Sequence, residues 1–233
     1  MYYVMSDIHG DYRNFRRMLA KIKFSSNDRL YILGDAIDKG KQNLRIIDVI
    51  QKNRTIQLIK GNHEYFCERY LAGIVSGAFW DSCGGKTTRM EVEQLTEGEK
   101  KVLFLYLKEL PTYEIVTVNE KEYFLTHSGY HADYEEIDPN TGKVDIQASV
   151  EQAVNADMER YLFSNDIHYL PASVEFDKRV IVGHYPTVFL DGYKKAKIYY
   201  GKRYIDIDTG NENRNNGGKL SCLRLDDGKE YYI

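Results

Sequence analysis

Five short apolar runs in this chain each end in a residue type that binds metal or moves protons. They lead into Asp7-Ile8-His9-Gly10, Gly34-Asp35-Ala36-Ile37-Asp38, Gly61-Asn62-His63-Glu64, His127 and Gly183-His184. A β-strand leaving a sheet sets its next residue at the carboxyl edge, where open α/β folds collect their ligands. Hard oxygen donors mixed with imidazoles suit a pair of divalent first-row metals. An isolated Asp-x-His is structural far more often than metallic. Five ordered matches in one chain point to a shared centre.

The segments around these runs set the fold class. Met1 to Met5 reads as a strand, and Asp11 caps a helix with an inward stripe of Phe15, Met18, Leu19 and Ile22. Leu30 to Leu33 is a second strand; Leu44, Ile47 and Ile50 mark a second helix, and Ile56 to Ile59 a third strand. That β-α-β-α-β order implies parallel strands joined by crossovers. Thr96 and Glu99 form a capping box for a helix to about Glu109, stopped by Pro111. Ile115 to Val118 and Glu122 to Thr126 predict a hairpin turning at Asn119-Glu120, and His131 to Asp145 an exposed loop. Ser149 and Gln152 predict another capping box, opening a helix to about Leu162. The last third is strand-rich: Val180 to Val182, a hairpin turning at Gly201-Lys202, and Leu220 to Leu225 turning at Asp227-Gly228. The expected architecture is α/β (α+β), two mixed sheets packed together with helices outside, in one domain over residues 1–233.

Bulk properties narrow the function. The 233 residues are 42% hydrophobic and 29% charged, which is ordinary for a globular protein. A net charge of −3 gives no basic footprint for nucleic acid or an anionic membrane, so neither is an expected partner. No apolar stretch approaches the ~20 residues that span a bilayer. Cys67, Cys83 and Cys222 have no metal-finger spacing and read as reduced thiols packed as small apolar side chains. With no charged-then-apolar leader ahead of the first strand, the expected location is cytoplasmic.

Asp7-x-His9-Gly10, Gly34-Asp35-x-x-Asp38-x-Gly40, Gly61-Asn62-His63-Glu64, His127-x-Gly129 and Gly183-His184-x-Pro186-Thr187 resemble the metal-dependent serine/threonine phosphoprotein phosphatases. The likeness is to the bacterial and phage type, within the calcineurin-like metallophosphoesterases, whose fold is a four-layer αββα sandwich. Trp80-x-x-Cys83-Gly84-Gly85-x-x-Thr88 and Asp208-Thr209-Gly210 are similar to further pieces of that family, with Cys83 standing where asparagine is usual. The resemblance implies one metal held by Asp7, His9 and Asp35, and a second held by Asp35, Asn62, His127 and His184. Asp35 then bridges, with a water or hydroxide that attacks phosphorus in line. The two ions are expected to be manganese, with iron or zinc as alternatives the donor set also accepts. His63 is implied as the acid for the leaving alkoxide, held by Asp38. Asn62, Lys39 and Arg160 are implied to grip the substrate phosphate. Lys39 replaces the family's first arginine and so lacks the bidentate fork. Arg160 follows Met158 where the family has tryptophan.

The resemblance implies a phosphomonoesterase acting on phosphoserine or phosphothreonine in proteins, or on a small phosphoester. A first rival keeps the metals and hydrolyses dinucleoside polyphosphates such as diadenosine tetraphosphate. A second is an inactive module that binds a phosphorylated ligand. Gly84-Gly85-Lys86-Thr87 looks like the end of a P-loop, but Trp80 stands where that motif needs glycine. His131 and His168 have no motif around them and are expected at the surface; Glu64 is expected as a carboxylate at a helix N-terminus.

Overall fold

The computed structural model describes residues 1–171 and 173–233. Two five-stranded mixed sheets form its centre. The first has the order β10(230–232)-β9(221–224)-β1(2–5)-β2(29–33)-β3(56–59), with β1, β2 and β3 parallel and β9 antiparallel to β1. The second has the order β4(113–118)-β5(121–126)-β6(179–182)-β8(204–206)-β7(199–200), in which β5, β6 and β8 run parallel. Helices α1(12–21) and α2(43–52) are the crossovers of the first sheet. Helices α3(62–71), α4(77–82), α5(86–92) and α6(97–108) fill the middle of the chain, and α7(146–162) precedes β6.

The alternation of side chains along the strands makes two cores. Val4, Leu33, Ile59 and Leu223 from the first sheet meet Val116, Leu125, Ile181 and Ile205 from the second in one buried apolar cluster. The opposite faces, with Met5, Leu30, Ile32 and Phe124, pack under the helices together with Phe15, Met18, Ile46, Ile47 and Ile50. Strands covered on both faces must be apolar at nearly every position, and β1, β2 and β3 are. This is the expected layering of helices, sheet, sheet, helices.

Most element boundaries match the sequence reading, including Asp11 as the α1 cap and the Thr96–Glu99 box on α6. Asn119 and Glu120 both take positive φ, as the two-residue β4–β5 turn requires. Two local expectations are corrected. Helix α7 starts at Ile146, capped by Asp145, whose side chain accepts from Ala148 N. Ser149 lies inside the helix, and its hydroxyl instead donates to the Asp145 carbonyl and accepts from Glu136 N. The β7–β8 turn centres on Lys202-Arg203, because Gly201 N donates to the Tyr204 carbonyl. Among the described residues no helix is long and apolar enough to cross a membrane.

Candidate metal centre

Six parallel strands open onto one edge of the sandwich, and the residues that follow five of them converge there. Asp7 and His9 follow β1, Asp35 follows β2, Asn62 and His63 begin α3 after β3, His127 follows β5, and His184 follows β6. All seven are buried or half-buried. Turning out of a strand this abruptly demands unusual backbone. Asp7, His9, Asp35, Asp38, Lys39 and His184 have φ of 50°, 47°, 51°, 71°, 63° and 73°. They are six of the ten non-glycine residues with positive φ among the described residues. Such strain, roughly 1–3 kcal/mol per residue, is concentrated where a function fixes the geometry.

Ring tautomers follow from the second nitrogen of each histidine. His127 Nδ1 lies 2.8 Å from the Leu33 carbonyl and must donate to it, which leaves Nε2 as a lone pair. That lone pair stands 2.9 Å from Asn62 Oδ1 and 3.1 Å from His184 Nδ1, and those two atoms are 3.0 Å apart. His9 Nδ1 lies 3.1 Å from the Ile37 carbonyl, so its Nε2 also presents a lone pair. That nitrogen is 3.8 Å from Asp7 Oδ1 and 3.8 Å from Asp35 Oδ2. Asp7 Oδ1 is buried with no hydrogen-bond partner. Donor atoms that share a divalent cation at ~2.1 Å stand roughly 3–4 Å apart. Converging lone pairs and an orphaned carboxylate oxygen are what a cation would satisfy, so the residues fit the two ions the fold implies. Asp7, His9 and Asp35 would hold one, and Asp35, Asn62, His127 and His184 the other.

Electrostatics separate ligands from acid. Burial, with Lys39 and His63 nearby, keeps His9 well below the ordinary histidine range. Burial and His127 push His184 down to about 3. Both therefore stay neutral and able to ligate. Burial pushes Asp7 up to about 6, against the opposing pull of His127. Burial also opposes ionisation of Asp35, but His127, His63, His9 and His184 surround it, and where protonated they hold it well below the usual carboxylate range. His63 goes the other way. Burial opposes its charge, yet Asp35 and the Asp38 hydrogen bond outweigh that and raise it to about 9. His63, His9 and Asp35 lie close enough to share an ion by distance alone. A protonated ring tied through Nδ1 cannot ligate, and His63 is set apart for that reason.

The support around His63 was only partly legible. Its Nδ1 is 2.7 Å from Asp38 Oδ2, and the same oxygen accepts from the Trp80 indole N–H at 2.8 Å. Thr88 Oγ1 accepts from Asp38 N at 3.0 Å. The Trp80 to Thr88 segment that carries the decoy P-loop is thus the clamp on Asp38, and Gly84 receives Lys39 N at its carbonyl. Glu64 does more than sit at a helix N-terminus: its carboxylate accepts from Asp35 N, Ala36 N and Gly61 N at 2.8, 2.9 and 3.0 Å, which locks the backbone at Asp35. Lys39 lies at the centre, with Nζ 3.3 Å from His9 Nε2. Among the described residues Arg160 pairs instead with Asp133, and its guanidinium side chain is 55% exposed. The surface placement of the two other histidines is corrected. His131 is buried, and His168 packs against Tyr185 and Tyr204.

A family model described as calcineurin-like phosphoesterase matches residues 2–217. The chain is 29% identical over 150 residues to the symmetrical bis(5'-nucleosyl)-tetraphosphatase of Wigglesworthia glossinidia brevipalpis, covering 63% of this chain and 52% of that protein. It is 32% identical over 136 residues to serine/threonine-protein phosphatase 2 of Salmonella typhimurium, covering 56% and 59%. These two matches span little more than half the length of either relative. Against the symmetrical bis(5'-nucleosyl)-tetraphosphatase of Proteus mirabilis it is 24% identical over 276 residues, covering 99% and 96%. Among solved structures it is similar to one provisionally described as a diadenosine tetraphosphatase, with TM-score 0.61, 16% identity and coverage of 100% and 92%. A Saccharomyces cerevisiae protein serine/threonine phosphatase gives TM-score 0.55, 12% identity and coverage of 100% and 78%. At those identities the structures establish the fold alone.

Proposed function

The chain belongs to the calcineurin-like phosphoesterases, and from that premise we propose that it is a two-metal phosphomonoesterase acting on phosphoserine or phosphothreonine in proteins. Manganese as the activating ion and a cytoplasmic location are part of the same proposal. The observation that carries it is the buried His63–Asp38–Trp80 chain. An alkoxide leaving from a seryl or threonyl ester is a strong base and needs a proton in the transition state, worth ~10²–10⁴-fold in rate. A nucleoside diphosphate leaving from a polyphosphate is a weak base and gains little from an acid. A site that raises a histidine and braces it from behind is built for the first leaving group.

Two divalent cations, when bound, supply Lewis acidity to the phosphoryl oxygens and a water acidified toward neutral pH. The chain's own residues do the rest. His63 gives its Nε2 proton to the ester oxygen as the bond to phosphorus breaks. Asp38 fixes the ring so that Nε2, not Nδ1, faces that oxygen, and it stabilises the imidazolium until the proton leaves. Lys39 offers a single cation to the phosphoryl oxygens, without a fork to orient them.

Hydrolysis of dinucleoside tetraphosphates is the second reading. It is favoured by the names of the relatives from Wigglesworthia and Proteus. The deciding assay places a phosphothreonine peptide and diadenosine tetraphosphate side by side with manganese, using wild type, His63→Ala and His184→Ala. Faster peptide turnover, abolished by both substitutions, supports the phosphatase. Preferential cleavage of the dinucleotide overturns it.

A further inference from the structure

Resting on the phosphomonoesterase reading, we propose that Glu212 is a specificity-determining carboxylate that admits one phosphoryl group beside His9 and Lys39 and rejects a chain of them. The loop after Asp208 is built to present it. Gly210 takes a left-handed conformation, with φ of 79°, and turns the chain into a short 3₁₀ segment over residues 211–216. Asn211 Nδ2 donates to the Ile8 carbonyl at 2.8 Å, inside the β1–α1 loop. Arg214 Nε reaches Asp11 at 3.4 Å on the same loop. Held at both points, the segment sets Glu212 Oε2 in an ion pair with Lys39 Nζ and 3.9 Å from His9 Nε2. The carboxylate is closer to the ammonium than to the imidazole, so it serves as partner of Lys39 rather than as a further ligand. Both side chains are largely enclosed, 25% and 34% exposed, which limits screening by solvent.

Two consequences follow for a substrate. Lys39 enters the site already neutralised, so a phosphoryl group gains it only by exchanging with Glu212. A second phosphate would occupy the groove of about 510 Å³ lined by His9, Lys39 and Glu212 and, with Lys39 drawn to the first phosphoryl group, would meet the Glu212 charge left unpaired. Like charges ~6 Å apart at an effective dielectric of ~40 repel by enough to change affinity about tenfold for each charge. A phosphoseryl or phosphothreonyl side chain carries no second phosphate and escapes that penalty. Arg13 and Lys41 also line the groove, but the ion pair of Glu212 is with Lys39.

The test is calorimetric binding of methylphosphonate and methylenediphosphonate, neither of which is hydrolysed, to the manganese-loaded full chain. Glu212→Gln should raise affinity for the diphosphonate relative to the monophosphonate by about tenfold. Glu212→Asp keeps the charge and should keep the wild-type ratio. An unchanged ratio in folded Glu212→Gln overturns the role of Glu212. Hydrolysis of the phosphothreonine peptide is scored separately. If wild type fails to cleave it while the ratio shift is present, the phosphatase reading falls and the screening role of Glu212 stands. If it cleaves the peptide and the ratio does not move, only the role of Glu212 falls.

Discussion

Replacing Asp38 by Asn removes a charge from behind His63 while keeping the side chain's shape. An amide oxygen in the place of Oδ2 still accepts from His63 Nδ1 and Trp80 Nε1, which lie 2.7 and 2.8 Å away. The amide nitrogen takes the place of Oδ1, which already has no partner. The fold should survive, and the electrostatic effect is then isolated. Unit charges ~4 Å apart at an effective dielectric of ~20 attract by about 4 kcal/mol, or roughly three pKa units. His63 stands at about 9 with the carboxylate present. Asp35 still raises the ring in this variant, so ~6 is the lower limit of its fall, and its acid form at pH 7.5 drops by up to about 30-fold. Turnover of a phosphothreonine peptide should fall by that factor at pH 7.5 and recover as pH drops toward 6. An aryl phosphate whose leaving nitrophenolate needs no proton should lose less than about threefold. The assay is kcat on both substrates across pH 5.5–9. Equal losses on the two substrates would refute the assignment of His63 as the acid.

Further outcomes follow from the same geometry. Gly34→Ala places a Cβ 2.5 Å from His127 Nδ1 at a φ of +73°, so the ring must leave the Leu33 carbonyl; manganese affinity should drop 10- to 100-fold by calorimetry. His168 is lowered by burial from 6.5 to about 4, so the folded state resists a proton that the unfolded chain accepts. Stability should therefore fall as pH drops through 6.5 toward 4, by about 2 kcal/mol at pH 5, and His168→Phe should flatten that slope in urea titrations. Lys60, 2% exposed, pairs with Glu68 at 2.8 Å between α3 and the end of α6. Lys60→Ala leaves that carboxylate without its partner and should cost about 3 kcal/mol by the same method.

Residues that a strand delivers were readable, because an apolar run fixes where its edge lies and which residue comes next. Asp7, Asp35, Asn62, His127 and His184 all follow that rule. The conformations that aim them were not readable. Propensity would put glycine at a left-handed position, yet aspartate, histidine and lysine occupy six of them here because surrounding contacts fix the backbone. Contacts distant in sequence were equally hidden. Trp80 reaches Asp38 across 42 positions, and Glu91 caps α2 by accepting from Asn43 N and Leu44 N. The α7 start was misread because Ser149-x-x-Gln152 matches a capping pattern while Asp145 sits earlier with the same chemistry. Glu212 left no local signal; only the packing of its loop on the β1–α1 turn brings it to Lys39.

A centre in which Asp35 joins two ions is tested most directly by counting metal. Wild-type chain dialysed against manganese should retain two ions, magnetically coupled in its electron paramagnetic resonance spectrum. His184→Ala should retain one uncoupled ion, and Asp35→Asn should hold neither tightly. A single ion in wild type, or two coupled ions in Asp35→Asn, would contradict the account.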